Sequence, residues 1–174
     1  QVIVLPTNGL KEVIEAEADQ VEMLEASIAE ARSRVDALVE NDDPQAYKEA
    51  VAHLHALEGA LFSEMSSIRH ETALAKTPYI VEHVTGLMEE CAKVVVMAHH
   101  HDVVDAIADG LKEFGVVTYT GRDSMTRKDQ AVHSFMNDEG TRVFIGSIQA
   151  AGVGLTLTSA STVVFAELDW VPGN

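Results

Sequence analysis

Three stretches of the 174-residue chain bring together residue types that can do chemistry. His99-His100-His101 sets three imidazoles in succession, which invites a metal reading. Adjacent side chains diverge, and no Asp, Glu or Cys cluster completes a coordination sphere. The better reading is loop histidines that hydrogen-bond locally or touch a ligand. Thr120-Gly121-Arg122-Asp123-Ser124, followed by Arg127-Lys128, gathers three cations into the one basic knot of an acidic chain. That knot fits a phosphate-facing patch, and equally a capped helix start whose cations point to solvent. The third stretch, Gly146-Ser147-Ile148-Gln149-Ala150-Ala151-Gly152-Val153-Gly154-Leu155-Thr156-Leu157, carries small residues and glycines through which backbone N–H groups can approach a phosphate or sugar. It matches neither common nucleotide fingerprint. G-x-G-x-x-G fails at the third glycine, and no Gly-Lys pair exists in the chain for a phosphate-binding P-loop. The chain is not expected to hold a triphosphate by itself.

These stretches need elements to position them, and the hydrophobic pattern supplies an alternation. Val94–Ala98, Val116–Tyr119, Arg142–Ser147 and Thr162–Ala166 read as short apolar strands. Between them lie helical patterns: one opening at Thr77-Pro78 with Ile80, Val81, Val84, Leu87 and Met88, one capped by Asp102 and ended by Gly115, and one over Arg127–Asn137. Such alternation predicts βαβ units and a parallel sheet covered on both faces, an α/β fold. In an open sheet of this kind, ligands gather at the carboxyl ends of the strands. All three polar stretches sit at such ends. Val2–Leu5 is expected to join the sheet as a further strand.

The rest of the chain follows a different period. Val21, Leu24, Ile28, Ala31, Val35 and Leu38 form a heptad seam that predicts one helix over about 10–40. Asp43 is placed to cap a second helix beginning at Pro44, with a seam of Tyr47, Val51, Leu54, Leu57 or Glu58, Leu61, Met65 and Ile68. A short connection makes the two a long antiparallel hairpin near the N-terminus. His53 and His55 stand two apart on it, so they do not share a helix face and are poor joint ligands.

Composition bounds the function. Twelve Lys and Arg against 28 Asp and Glu give a net charge of −16, which argues against non-specific DNA attraction by net charge. The acid is uneven: 15 acidic and 5 basic residues lie in 1–75, and 13 and 7 in 76–174. The lone Cys91 cannot close an intrachain disulfide, which fits a reducing, intracellular compartment. The longest aliphatic run, Val94–Ala98, is far short of the roughly 20 residues needed to cross a bilayer. No membrane partner is expected.

Taken in order, residues 76–174 resemble the second RecA-like lobe of a superfamily 2, Snf2-family DNA-dependent ATPase, in its annealing-helicase-like branch. The residues that carry this are Ala75-Lys76-Thr77-Pro78, Val95 through Asp105, Tyr119-Thr120-Gly121 with Arg127 and Phe135, and Ser147 through Leu157. Ala160, Val163-Val164-Phe165-Ala166-Glu167, Trp170 and Pro172 complete the set. The resemblance implies three parts: residues 1–9 as a first strand, 10–75 as the helical protrusion of such lobes, and 76–174 as the lobe. It also implies an ATP-driven translocase on double-stranded or forked DNA, with ATP and Mg2+ held mainly by a first RecA-like lobe. Carried over residue by residue, Ser147 would meet a DNA phosphate, His99, His100, Thr120, Gly121 and Arg122 would flank the same strand, and Gly152, Gly154 and Glu167 would line the nucleotide cleft. Glu167 stands where many relatives have aspartate, and Val171 where many have asparagine.

The chain begins at Gln1 and stops at Asn174, before the family's paired-arginine motif, so the expectation is a fragment of a larger enzyme with no catalytic residue of its own and no ATPase activity alone. Two other readings stand beside this one. In the first, the acidic hairpin binds a protein partner and the α/β half is its scaffold. In the second, the chain is a Rossmann-type nucleotide enzyme, which the missing third glycine weakens.

Overall fold

A computed structural model describes residues 11–39, 43–152 and 154–168. The expected strand Val2–Leu5 and the Trp170–Pro172 segment lie outside the described residues. The chain divides into two compact units, Gln1–Thr72 and Ala73–Asn174.

The first unit holds α1 (Lys11–Val39) and the first part of α2 (Pro44–Glu90). Asp43 starts α2 as its sequence position predicts, its Oδ1 accepting from the amides of Gln45 at 3.1 Å and Ala46 at 3.0 Å. Between Val21 and Val39, the α1 positions withdrawn from solvent are Val21, Leu24, Ile28, Ala31, Val35 and Leu38, the predicted seam. On α2 the seam differs at its start: Tyr47 is exposed, while Ala46 and Ala50 take the sheltered positions. Arg32 of α1 reaches Glu58 of α2 at 2.9 Å.

The sequence predicts a helix start at Thr77-Pro78. The helix instead runs through, with Pro78 inside α2. Proline removes one helical amide, a local cost. On either side, however, Ala73, Thr77, Ile80, Val84 and Met88 are all buried, and Thr77 Oγ1 donates to the Ala73 carbonyl at 3.2 Å.

In the second unit, β1 (Val94–Ala98), β2 (Val116–Tyr119), β3 (Val143–Ser147) and β4 (Thr162–Phe165) form one sheet in the order β2-β3-β1-β4. Every pairing is parallel. Side chains alternate faces along a strand. Val94, Val96, Ala98, Val143 and Ile145 pack with the end of α2 and with Val103, Val104 and Ile107 of α3 (His101–Gly110). Val95, Met97 and Phe144 pack on the other face with Phe135 of α4 (Met125–Asn137) and Ala151 of α5 (Ile148–Ala151). Both faces are therefore covered, as a run of consecutive buried residues in β1 and β3 requires.

After α3 a 3-10 turn, Lys112–Phe114, ends at Gly115. Its φ is +68°, and a Cβ there would fall 1.9 Å from the Gly140 carbonyl oxygen, so only glycine fits. Arg142, just before β3, donates from Nε to the Ala92 carbonyl and from Nη2 to those of Met88 and Cys91, at 2.8–2.9 Å. A single guanidinium thus closes the end of α2 onto the central sheet.

Candidate functional site

Parallel strands deliver all four carboxyl ends to one edge. In sheet order the residues just past or at that edge are Thr120, Ser147, His99 and Glu167, a row roughly 14 Å across at ordinary strand spacing. The register fixes the row: Tyr119 pairs with Gly146, Ala98 with Ser147, and Met97 with Phe165. Residues 27 to 68 apart in sequence become neighbours.

At the β2 end, Thr120 is 1% exposed. Both its amide and its hydroxyl donate to Asp123 Oδ2, at 2.8 and 2.7 Å. Burial pushes the Asp123 carboxyl up, but the two Thr120 hydrogen bonds, with Arg127 and Arg122 nearby, outweigh it and hold the pKa below its ordinary value. The turn they enclose presents Gly121, where a Cβ would meet nothing within 4 Å. Arg122 is half exposed and forks onto Asp105 of α3, Nη2 to Oδ1 at 2.7 Å and Nη1 to Oδ2 at 3.1 Å. This hydrogen-bonded carboxylate raises the guanidinium above its usual pKa. Arg127 Nη1 lies 3.9 Å from Asp123 Oδ1, and Lys128 Nζ stands 5.1 Å from the centre of the Tyr119 ring. The basic knot read from the sequence is therefore a set of cations already engaged by Asp105, Asp123 and Tyr119.

At the β3 end Ser147 is 4% exposed and acts as the N-cap of α5, its Oγ accepting from the Ala150 amide at 3.3 Å. Gly152 closes α5, and a Cβ there would fall 2.4 Å from the Ile148 carbonyl oxygen. Gly154 has φ +84° and open space where a Cβ would stand, so its backbone is approachable. Ser124 does for α4 what Ser147 does for α5, accepting from the Arg127 amide; this starts α4 at Met125, two residues before the expected Arg127.

At the β1 end, His99 and His100 stack edge to face with ring centres 4.9 Å apart. Glu167, reached from β4, accepts from the His99 amide at 2.7 Å and the His100 amide at 3.0 Å through Oε2, while Oε1 meets His100 Nδ1 at 2.6 Å. The Glu167 side chain is 7% exposed. His99 Nδ1 is buried without a hydrogen-bond partner. Among the described residues no group of three or more His, Cys, Asp or Glu converges on a metal position.

Of the residues that hold this edge, the sequence names Glu167 only for the nucleotide cleft and gives Asp105 and Asp123 no holding role. Asp123 stands three after Thr120, a spacing that local side-chain capping would have flagged. Asp105 and Glu167 carry no such signal, because their partners lie 17 and 67–68 residues away.

Residues 75–174 match the model of the helicase conserved C-terminal domain. The chain belongs to that family. Relatives of this helicase lobe include the human protein described as DNA annealing helicase and endonuclease ZRANB3, 38% identical over 107 residues, covering 60% of this chain and 10% of that protein. The Xenopus laevis SWI/SNF-related matrix-associated actin-dependent regulator of chromatin subfamily A-like protein 1 is 40% identical over 107 residues, covering 60% and 11%. The chain thus spans about a tenth of the length of these relatives. Among solved structures, the Sulfolobus solfataricus SWI2/SNF2 ATPase C-terminal domain aligns with a TM-score of 0.45 at 20% identity, over 86% of this chain and 67% of that one. The resemblance read from the sequence holds: this is a Snf2-type C-terminal lobe, with a RecA-like parallel sheet and helices on both faces. No described helix is long and apolar enough to cross a membrane.

Proposed function

We propose that the helicase lobe is the second motor lobe of an intracellular Snf2-type, ATP-dependent translocase acting on double-stranded or forked DNA. The observation that carries the proposal is the row of polar strand ends, Thr120, Ser147, His99 and Glu167, along one edge of a lobe whose sequence matches helicase C-terminal domains. The Thr120–Arg122 turn and Ser147 approach the phosphates of one strand, with His99 and His100 beside them. Arg122 supplies the charge by exchanging Asp105 for a phosphate oxygen, a fork the guanidinium makes equally well.

ATP and Mg2+ enter with a first lobe. The described residues offer no converging metal ligands, and the chain has no Gly-Lys pair for a phosphate loop. Gly154, and Gly152 beside it, are the residues of this lobe that would face the nucleotide across the cleft. In this reading the 174-residue chain alone turns over no ATP.

The test uses the protein carrying both lobes, measured by duplex DNA binding across a salt series and by DNA-stimulated ATP hydrolysis. Arg122→Ala is expected to weaken binding to all sequences and to reduce the salt slope by about one. An unchanged slope for Arg122→Ala together with an unchanged affinity for Ser147→Ala would remove the DNA assignment of this edge. DNA-stimulated turnover by the chain alone would remove the division of labour between lobes.

A second reading, a protein partner on the acidic hairpin, is favoured by Met23 and Phe62, exposed at 73% and 63% on its two helices. Deleting residues 11–70 separates the two: loss of partner capture with DNA binding retained supports the second reading for the hairpin.

A further inference from the structure

Glu167 is a nearly enclosed carboxylate at the exit of β4, and its oxygens face inward to the neighbouring strand end. The Ala166 amide donates to the Met97 carbonyl at 2.9 Å, which carries the β1–β4 pairing past the strands and sets the carboxylate against the β1–α3 turn. There it accepts three hydrogen bonds, two from amides and one at an imidazole nitrogen. A carboxylate has about four lone-pair positions, so little acceptor capacity is left for anything else. The turn leads directly into α3, whose N-cap, His100, is extended (φ −83°, ψ 141°) and offers no side-chain cap of its own. A negative charge beside a helix N-terminus is favourable, and Glu167 supplies one from the adjacent strand, in addition to Asp102 in the helix's own first turn.

We infer that Glu167 is a positioning residue, an internal anion that fixes the His99–His100 turn and keeps phosphate away from the start of α3. A phosphate oxygen seeking the His99 and His100 amides would have to displace a buried carboxylate or sit against it, charge to charge. Phosphate recognition on this edge then falls to the Thr120–Arg122 turn and the Ser147 end. His99 and His100 shape the edge without binding the backbone of DNA, and Glu167 is no ligand of the nucleotide. The hydrogen bond at His100 Nδ1 also sets the imidazole's tautomer: a carboxylate only accepts, so the proton lies on Nδ1.

The inference about the turn stands on geometry alone; its consequence for DNA rests on the motor reading. The experiment keeps the two apart. In the 174-residue chain, long-range proton–nitrogen spectra of the imidazoles are expected to show a proton on His100 Nδ1, and inorganic phosphate at millimolar concentration is expected to leave the His99 and His100 amides unmoved. A neutral His100 protonated on Nε2, or saturable phosphate shifts at those amides, would overturn it. Neither measurement needs DNA, ATP or a variant that has to fold. In the protein carrying both lobes, Glu167→Gln is expected to lower the DNA-stimulated rate roughly tenfold to a hundredfold, as misplacement of a motor element does, with KM for ATP held within about twofold. A rise in that KM of about tenfold or more with the rate retained would return Glu167 to the nucleotide.

Discussion

Phe144 of β3 has no exposed surface and lies between two other rings, with centres 5.4 Å from Phe135 and 5.9 Å from Tyr119. Ile28, the largest buried apolar residue of the hairpin, is 6% exposed, and the only other buried apolar residues of that unit, among those described, are Ala31 and Ala50. The two regions bury apolar surface by different geometry. A sheet covered on both faces surrounds each inward side chain with partners from several elements, whereas a two-helix seam shelters a narrow stripe and leaves its flanks in water. The α/β half can therefore hold a row of polar ends to fixed positions. Among the described residues of the hairpin, fully buried apolar side chains are fewer and mostly small.

That contrast can be broken from the α/β side most strongly. Phe144→Ala should destabilise the lobe by about 3–5 kcal/mol, the range for emptying a fully packed phenylalanine site, read as a shift in the denaturant midpoint. A change below about 1 kcal/mol would mean that the core is far looser than its burial indicates.

Asp123→Ala comes next, at about 1.5–3 kcal/mol for lost hydrogen bonds to a charged group. Its pH dependence sharpens the comparison. Because the folded carboxyl has a pKa below its ordinary value, the unfolded chain takes up the proton first as pH falls. The contribution is whole at neutral pH and is lost below about pH 4. Stability measured from pH 7 to pH 3 should thus fall less in the variant than in the parent, and parallel curves would refute the assignment.

Ile28→Ala should have the smallest effect, about 1.5 kcal/mol, below the range for fully enclosed aliphatic residues. Amide exchange should quicken in α1 while β1 and β3 keep their protection. Equal loss of protection in both regions would show that the two units open together.

How far the sequence could be read follows the same division. The α1 seam was legible residue by residue because a helix face repeats every three or four positions and needs no knowledge of distant partners. At the start of α2 the sheltered positions are Ala46 and Ala50 rather than Tyr47, a shift of seam that period alone does not register. At Pro78 the local signal for a helix start is real, while the burial of Ala73, Thr77 and Ile80 that carries the helix through is tertiary. At the site, the strand ends could be read, since apolar runs stop where polar residues begin. The pairings that govern those ends, Glu167 with His99 and His100 and Arg122 with Asp105, are set by strand order, which no local pattern encodes.

Arg142 carries a different consequence. It clasps three main-chain carbonyls, those of Met88, Cys91 and Ala92, and a carbonyl is the same whatever side chain its residue bears. A change of side chain at 91 or 92 leaves these acceptors in place, whereas Met88 is held by core packing as well, and position 142 cannot change: a lysine has one nitrogen where the fork donates from two. Tolerance to substitution in this clasp is lopsided, because one side chain answers for hydrogen bonds whose other half is written only in the backbone.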